Sequence, residues 1–159
     1  MKNRYGVFLA MIATSIVAMF IMTYLNTWEF GHIFWSETRA YMVLYMGAIM
    51  ALIMLAYMQS MYVNKAFNIA IVASSVLVFA VTLYLVRSQA MVGDVSYMRA
   101  MIPHHSIAIL TSTRAKIHDP RVRKLADGII ETQKREITEM KALISDLEGG
   151  PKISSGKSN

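Results

Sequence analysis

The chain has 159 residues, 55% of them hydrophobic and only 16% charged, with a mean hydropathy of +0.42. So apolar a balance at this length points to a membrane protein rather than to a soluble domain. The absence of cysteine excludes disulfides and thiolate metal sites, and the net charge of +6 forms no arginine stripe interleaved with aromatics, which excludes a nucleic-acid surface.

The first 88 residues carry five Lys/Arg and two Glu, whereas residues 89–150 carry nine Lys/Arg against eight Asp/Glu. In that charge-poor first part lie three apolar runs, Tyr5 to Leu25, Tyr41 to Val63 and Phe67 to Val86. At about 1.5 Å per residue each is long enough to cross a hydrocarbon core of about 30 Å. The first lacks a small-residue cleavage site before Asn26 and is read as a retained helix. The first connection, "NTWEFGHIFWSETR", holds Trp28, Phe30, Phe34 and Trp35 and is expected to lie along the membrane surface. His32 within it is expected to be an interfacial histidine with no partner, the alternative being that it faces the soluble hairpin and helps to collect metal. The second connection is expected to be as tight as "NK", making the second and third spans a helical hairpin. Lys2, Arg4 and Lys65 fall on one side and Arg39, Arg87 and Arg99 near the other, so the positive-inside count is balanced. The free amino terminus tips the expectation towards a cytoplasmic N-terminus, with everything after Val86 outside the cytoplasm.

From Gly93 the texture becomes soluble. Asp94 is a candidate cap for a helix running through Met101 and His105 to about Ile117. Asp119 and Pro120 start another, with Val122, Leu125, Ala126, Ile129, Ile137, Ile144 and Leu147 at helical spacing, and Gly149, Gly150 and Pro151 stop it. The expected architecture is all-α: a three-helix transmembrane region over 1–88, a soluble helical hairpin over 89–149 and a disordered tail over 150–159.

The chemistry concentrates in "MIPHH", Met101 to His105. At about 100° per residue, Met98, Met101, His104 and His105 share one band about 120° wide. On the following helix Gln133, Glu136 and Met140 interrupt an otherwise apolar face, and buried polar residues need partners. Folding the chain at His118–Asp119 brings Gln133 near His104, Glu136 near Met101, and Met140 near Tyr97 and Met98. Pro103 removes an amide and is expected to kink the helix just before the two histidines. Thioether with imidazole points to copper: sulfur favours Cu(I), and imidazole serves both Cu(I) and Cu(II). Zinc prefers more nitrogen, thiolate or carboxylate, and the Glu-x-x-His pairs of a di-iron centre do not occur. The metal candidates are therefore His104, His105, Met101, Met140 and Met98, with Glu136 and Gln133 orienting a ligating histidine. Against this stands a plainer account, in which the histidines are surface residues and the methionines fill gaps in a core.

"GDVSYMRAMIPHHSIAIL" and "HDPRVRKLADGIIETQKREITEMKALI" together resemble the bacterial domain-of-unknown-function 305 family. Its signature is Met-Ile-Pro-His-His, then, after an Asp-Pro turn, Ile-Ile-x-x-Gln-x-x-Glu-Ile-x-x-Met. The resemblance covers about a third of the chain and implies a ferritin-like helical unit, exported or membrane-tethered, with copper binding and copper tolerance as its associations. Two features depart from the pattern. Thr111 stands where many members carry a methionine, and the second helical pair of longer members is absent, leaving half of a four-helix unit. Two chains are therefore expected to pair, as a homodimer or higher homo-oligomer.

Met42, Met46, Met50, Met54 and Met58 recur every four residues in the second span, but each step drifts about 40°, so packing is the expected role rather than a copper path. No nucleophile elbow, phosphate loop or catalytic carboxylate pair is present, and no enzyme is expected. The sequence thus reads as a copper-binding protein of a bacterial inner membrane with an extracytoplasmic hairpin, which buffers copper or passes it to a copper-handling protein. The alternative is a membrane adaptor without metal, whose hairpin mediates oligomerisation or docks on a partner.

Overall fold

The computed structural model describes residues 2–150, and the expected disordered tail lies outside them but for Gly150. The described residues form five α-helices: α1 (Lys2–Met22), α2 (Glu37–Tyr57), α3 (Lys65–Ser88), α4 (Asp94–Arg114) and α5 (Pro120–Leu147), with a single 3-10 turn at Phe30–His32. They divide into two units, one of residues 1–25 and 37–92, the other of residues 26–36 and 93–159. The segment between α1 and α2 thus belongs with the α4–α5 hairpin rather than with the apolar helices, unlike the continuous 1–88 region expected from composition.

In the first unit α1, α2 and α3 are long and apolar enough to cross a membrane. Their outer faces expose large apolar side chains such as Val17, Ile53, Ile69 and Leu77, which suits helices solvated by lipid. Where they meet, the residues are small. Gly47 of α2 lies against Ile16 of α1, and a Cβ added there would come within 2.5 Å of that side chain. A polar and aromatic knot closes one end. Tyr5 donates to Asn68 Oδ1 at 2.9 Å, accepts from the Asn64 amide at 3.1 Å, and stacks on Phe67. Asn64 caps α3 by accepting from the amides of Ala66 and Phe67. The α2–α3 connection occupies residues 58–64 rather than two residues, because α2 ends at Tyr57 and Tyr62 folds back into the core. At the other end buried Arg39 donates to the Thr23 carbonyl and lies 4.6 Å from the Tyr24 ring. The methionines of the second span spiral as the 40° drift requires: Met46 is exposed, while Met54 and Met58 pack on the core.

In the second unit α4 and α5 form the expected hairpin around Met98, Ile102, Ile109, Ile137 and Ile144. Asp119 caps α5 by accepting from the Arg121 amide at 2.8 Å, and Pro120 occupies its first turn. Gly93, not Asp94, is the N-cap residue of α4, and α4 ends at Arg114, three residues before the expected Ile117. Pro103 is buried inside α4, which continues through it. At the open end Arg99 pairs with Glu148 at 2.6 Å, and Gly149 takes the positive φ of 81° that releases the chain from α5.

Candidate metal site on the α4–α5 hairpin

The two halves of α4 differ in what they bury. Ile102, Ser106 and Ile109 turn fully inward, leaving Met98, Met101 and His105 on the flank beside α5. The flank of α5 that answers them carries Glu136, Met140 and Leu143. Between the helices lies a cleft of about 580 Å³ lined by Met98, Met101, His105, Glu136 and Met140. Its rim adds Tyr97 and the carboxylates of Asp94, Glu139 and Asp146. Met98, Met101, His105, Glu136 and Met140 therefore do converge, with a register shift of one helical turn: Glu136 meets His105, four residues beyond the expected Met101.

The hydrogen bonds of His105 define its chemistry. Its Nδ1–H donates to the Met101 carbonyl at 2.8 Å, which fixes the ring and turns Nε2 to the cleft. Nε2 lies 2.9 Å from Glu136 Oε2. Since Nδ1 is already a donor, the second contact needs one proton, carried either by the ring or by the carboxyl group. Gln133 donates to the same Glu136 oxygen at 3.3 Å, so it orients the carboxylate rather than a histidine.

His104 stands apart. It is exposed and lines no part of the cleft, and its ring centre is 6.4 Å from that of His105 with the planes at 74°. Successive residues of a helix point about 100° apart, which separates the two rings. Gln133, expected beside His104, is instead bonded to Glu136. Among the described residues, no group of three or more His, Cys, Asp or Glu is placed to hold a metal ion.

Sequence reasoning missed Ser106. It is fully buried between the helix and segment 26–36, where its hydroxyl accepts from the Trp28 amide at 2.7 Å and lies 2.9 Å from His32 Nδ1. His32 is buried, with Glu29 at 3.6 Å from its Nε2, so the expectation of an unpartnered interfacial histidine is corrected. Burial, reinforced by the Lys141 ammonium and opposed by Glu29, pushes its pKa below the ordinary value. Trp28 and Phe34 pack on the hairpin core, while Phe30 and Trp35 remain exposed. Thus only half of the aromatic loop has the exposure expected of it. The signal for Ser106 was a small polar residue on the face of Ile102 and Ile109.

No solved structure matches the chain. The family described as domain of unknown function (DUF305) matches residues 94–159, which contain the whole cleft. The uncharacterized protein L153 of Acanthamoeba polyphaga mimivirus is 34% identical over 147 residues, a match covering 86% of this chain and 93% of that protein. That likeness is too long to be confined to the hairpin and reaches into the apolar helices. On these matches, the chain belongs to the DUF305 family.

Proposed function

We propose that the chain is a membrane-anchored copper-binding protein that holds Cu(I) in the α4–α5 cleft, to buffer it or pass it to a copper-handling partner. The observation that carries this reading is the convergence of Met98, Met101 and Met140 with His105 Nε2 in one cleft. The donor set fits a soft cation: thioethers bind Cu(I) well, and harder metals lack the carboxylate or imidazole cluster they need. His105 is set as a ligating histidine is usually set, one ring nitrogen donating to a carbonyl and the other facing the cleft. Glu136 Oε2 holds the place beside Nε2 that the ion would take. His104, outside the cleft, serves capture from solvent rather than tight holding.

The anchor is three membrane-crossing helices, in the cytoplasmic membrane of a bacterium with the hairpin on the extracytoplasmic side. What supports the three-span path is topological. Three crossings place segment 26–36 and everything after α3 on one side, and these are the segments that pack into one unit. A reporter fused at the carboxyl terminus tests the sidedness, with activity expected only for an extracytoplasmic reporter.

The binding test is a Cu(I) competition titration of the full chain in detergent. One tightly held copper per chain is expected. Met101→Leu with Met140→Leu is expected to weaken it by at least about tenfold. Equal affinity in wild type and the methionine variant contradicts the proposal and favours the adaptor without metal.

A further inference from the structure

The amphipathic face of α5 is wider than α4 covers. Taking Met140 as zero at about 100° per residue, the buried Ala126, Ile137 and Ile144 lie between about +40° and +60°. A second apolar stripe, Val122, Leu125, Ile129, Leu143 and Leu147, lies between about −60° and 0° and is exposed along its whole length, 65% at Leu125 and 56% at Leu147. The two stripes are about 80° apart on average. A helix with apolar stripes near a right angle is shaped to pack against two neighbours, and α4 supplies one of them.

The exposed stripe also reads the same in both directions. Reversed about the point between Gln133 and Glu136, Val122 falls opposite Leu147, Ile129 opposite Met140 and Gln133 opposite Glu136, with Leu125 and Leu143 within one residue of each other. Its ends are of opposite charge: Arg121 and Lys124 line the groove at the start of α5, while Asp146 lines the cleft at its other end. A surface that is apolar against apolar and basic against acidic when turned end for end is complementary to itself.

We infer that the second neighbour of α5 is α5 of another copy of this chain, running antiparallel about a twofold axis that passes between Gln133 and Glu136. Parallel pairing sets Lys124 against Lys124 and Asp146 against Asp146, which like-charge repulsion disfavours. Antiparallel pairing buries Leu125 and Leu143 of both copies. It also brings two His105–Glu136 pairs to the axis and covers the open side of each cleft. The metal reading gains a reason for the polar residues at mid-stripe, because Gln133 and Glu136 of one copy then face those of the other.

The chain has no cysteine, so introduced ones report without background. Leu125→Cys and Leu143→Cys chains carrying different tags are co-expressed, kept in their native membrane and oxidised; Val122→Cys with Leu147→Cys forms a second pair at exposed positions. The mixed disulfide is expected at least tenfold above either same-residue disulfide, for both pairs. Same-residue disulfides in excess, as parallel pairing gives, overturn the inference. So does the absence of any cross-link in both pairs. The readout involves no copper, so its failure leaves the metal reading intact, and loss of copper binding leaves this one intact.

Discussion

The protein contains two helical hairpins whose surfaces look alike by composition of their apolar stripes and mean different things. In α2–α3, exposed Ile53, Ile69 and Leu77 sit on helices apolar on every side, and the core beneath them joins Ala51 to Phe8, Leu55 and Tyr62. In α4–α5 contact is made through Ile102, Ile109, Ile137 and Ile144, and charged residues occupy the remaining faces. On helices apolar on every side, an exposed leucine suits lipid and calls for no partner. On a helix whose other faces are charged, a row of exposed leucines calls for one. The same distinction governs methionine. Met46 and Met54 follow a spiral through an apolar helix, whereas Met98, Met101 and Met140 meet across two helices beside an imidazole.

Substitutions that act on one hairpin alone sharpen the contrast, and both tryptophans lie in segment 26–36, so their emission reports the second unit. The largest effect is expected from Ile102→Ala, which empties a fully buried position. It is expected to destabilise the hairpin by about 2–5 kcal/mol, read as an earlier midpoint of tryptophan emission in denaturant. Gly47→Ala pushes on Ile16 and is expected to cost about 1–3 kcal/mol of helix packing in the first unit. Resistance to unfolding in detergent falls while tryptophan emission stays unchanged. Ser106→Ala removes the oxygen that the Trp28 amide and His32 share. A loss of about 1–3 kcal/mol is expected, with faster exchange of the Trp28 amide.

The smallest effect is a dependence on pH. His32 resists protonation in the fold, whereas the unfolded chain takes up a proton near 6.5. Its contribution is therefore complete above that pH and is lost progressively as pH falls below it, by at most about 1.4 kcal/mol per pH unit. His32→Gln is expected to flatten that part of the stability profile; an unchanged slope contradicts the assignment.

Much of this was legible from residues alone. The three apolar runs, the Asp119–Pro120 helix start and the grouping of Met98, Met101, His105, Glu136 and Met140 all follow from period and spacing. What spacing could not decide was rotation. His104 and His105 are neighbours in sequence, and about 100° of helical turn leaves one in the cleft and one in solvent. Nor could it decide long-range docking: Ser106 and His32 are 74 positions apart, and nothing in either local pattern announces the other. The partner of Glu136 also slipped by one helical turn, from Met101 to His105, because spacing alone does not fix how the turn at residues 115–119 sets one helix against the other.

The central claim is that sulfur from both helices holds the cation. X-ray absorption at the copper edge of the Cu(I)-loaded full chain tests it most directly. The account predicts sulfur scatterers together with one imidazole, and loss of sulfur in Met101→Leu/Met140→Leu. A first shell of nitrogen and oxygen alone, unchanged by those substitutions, contradicts it.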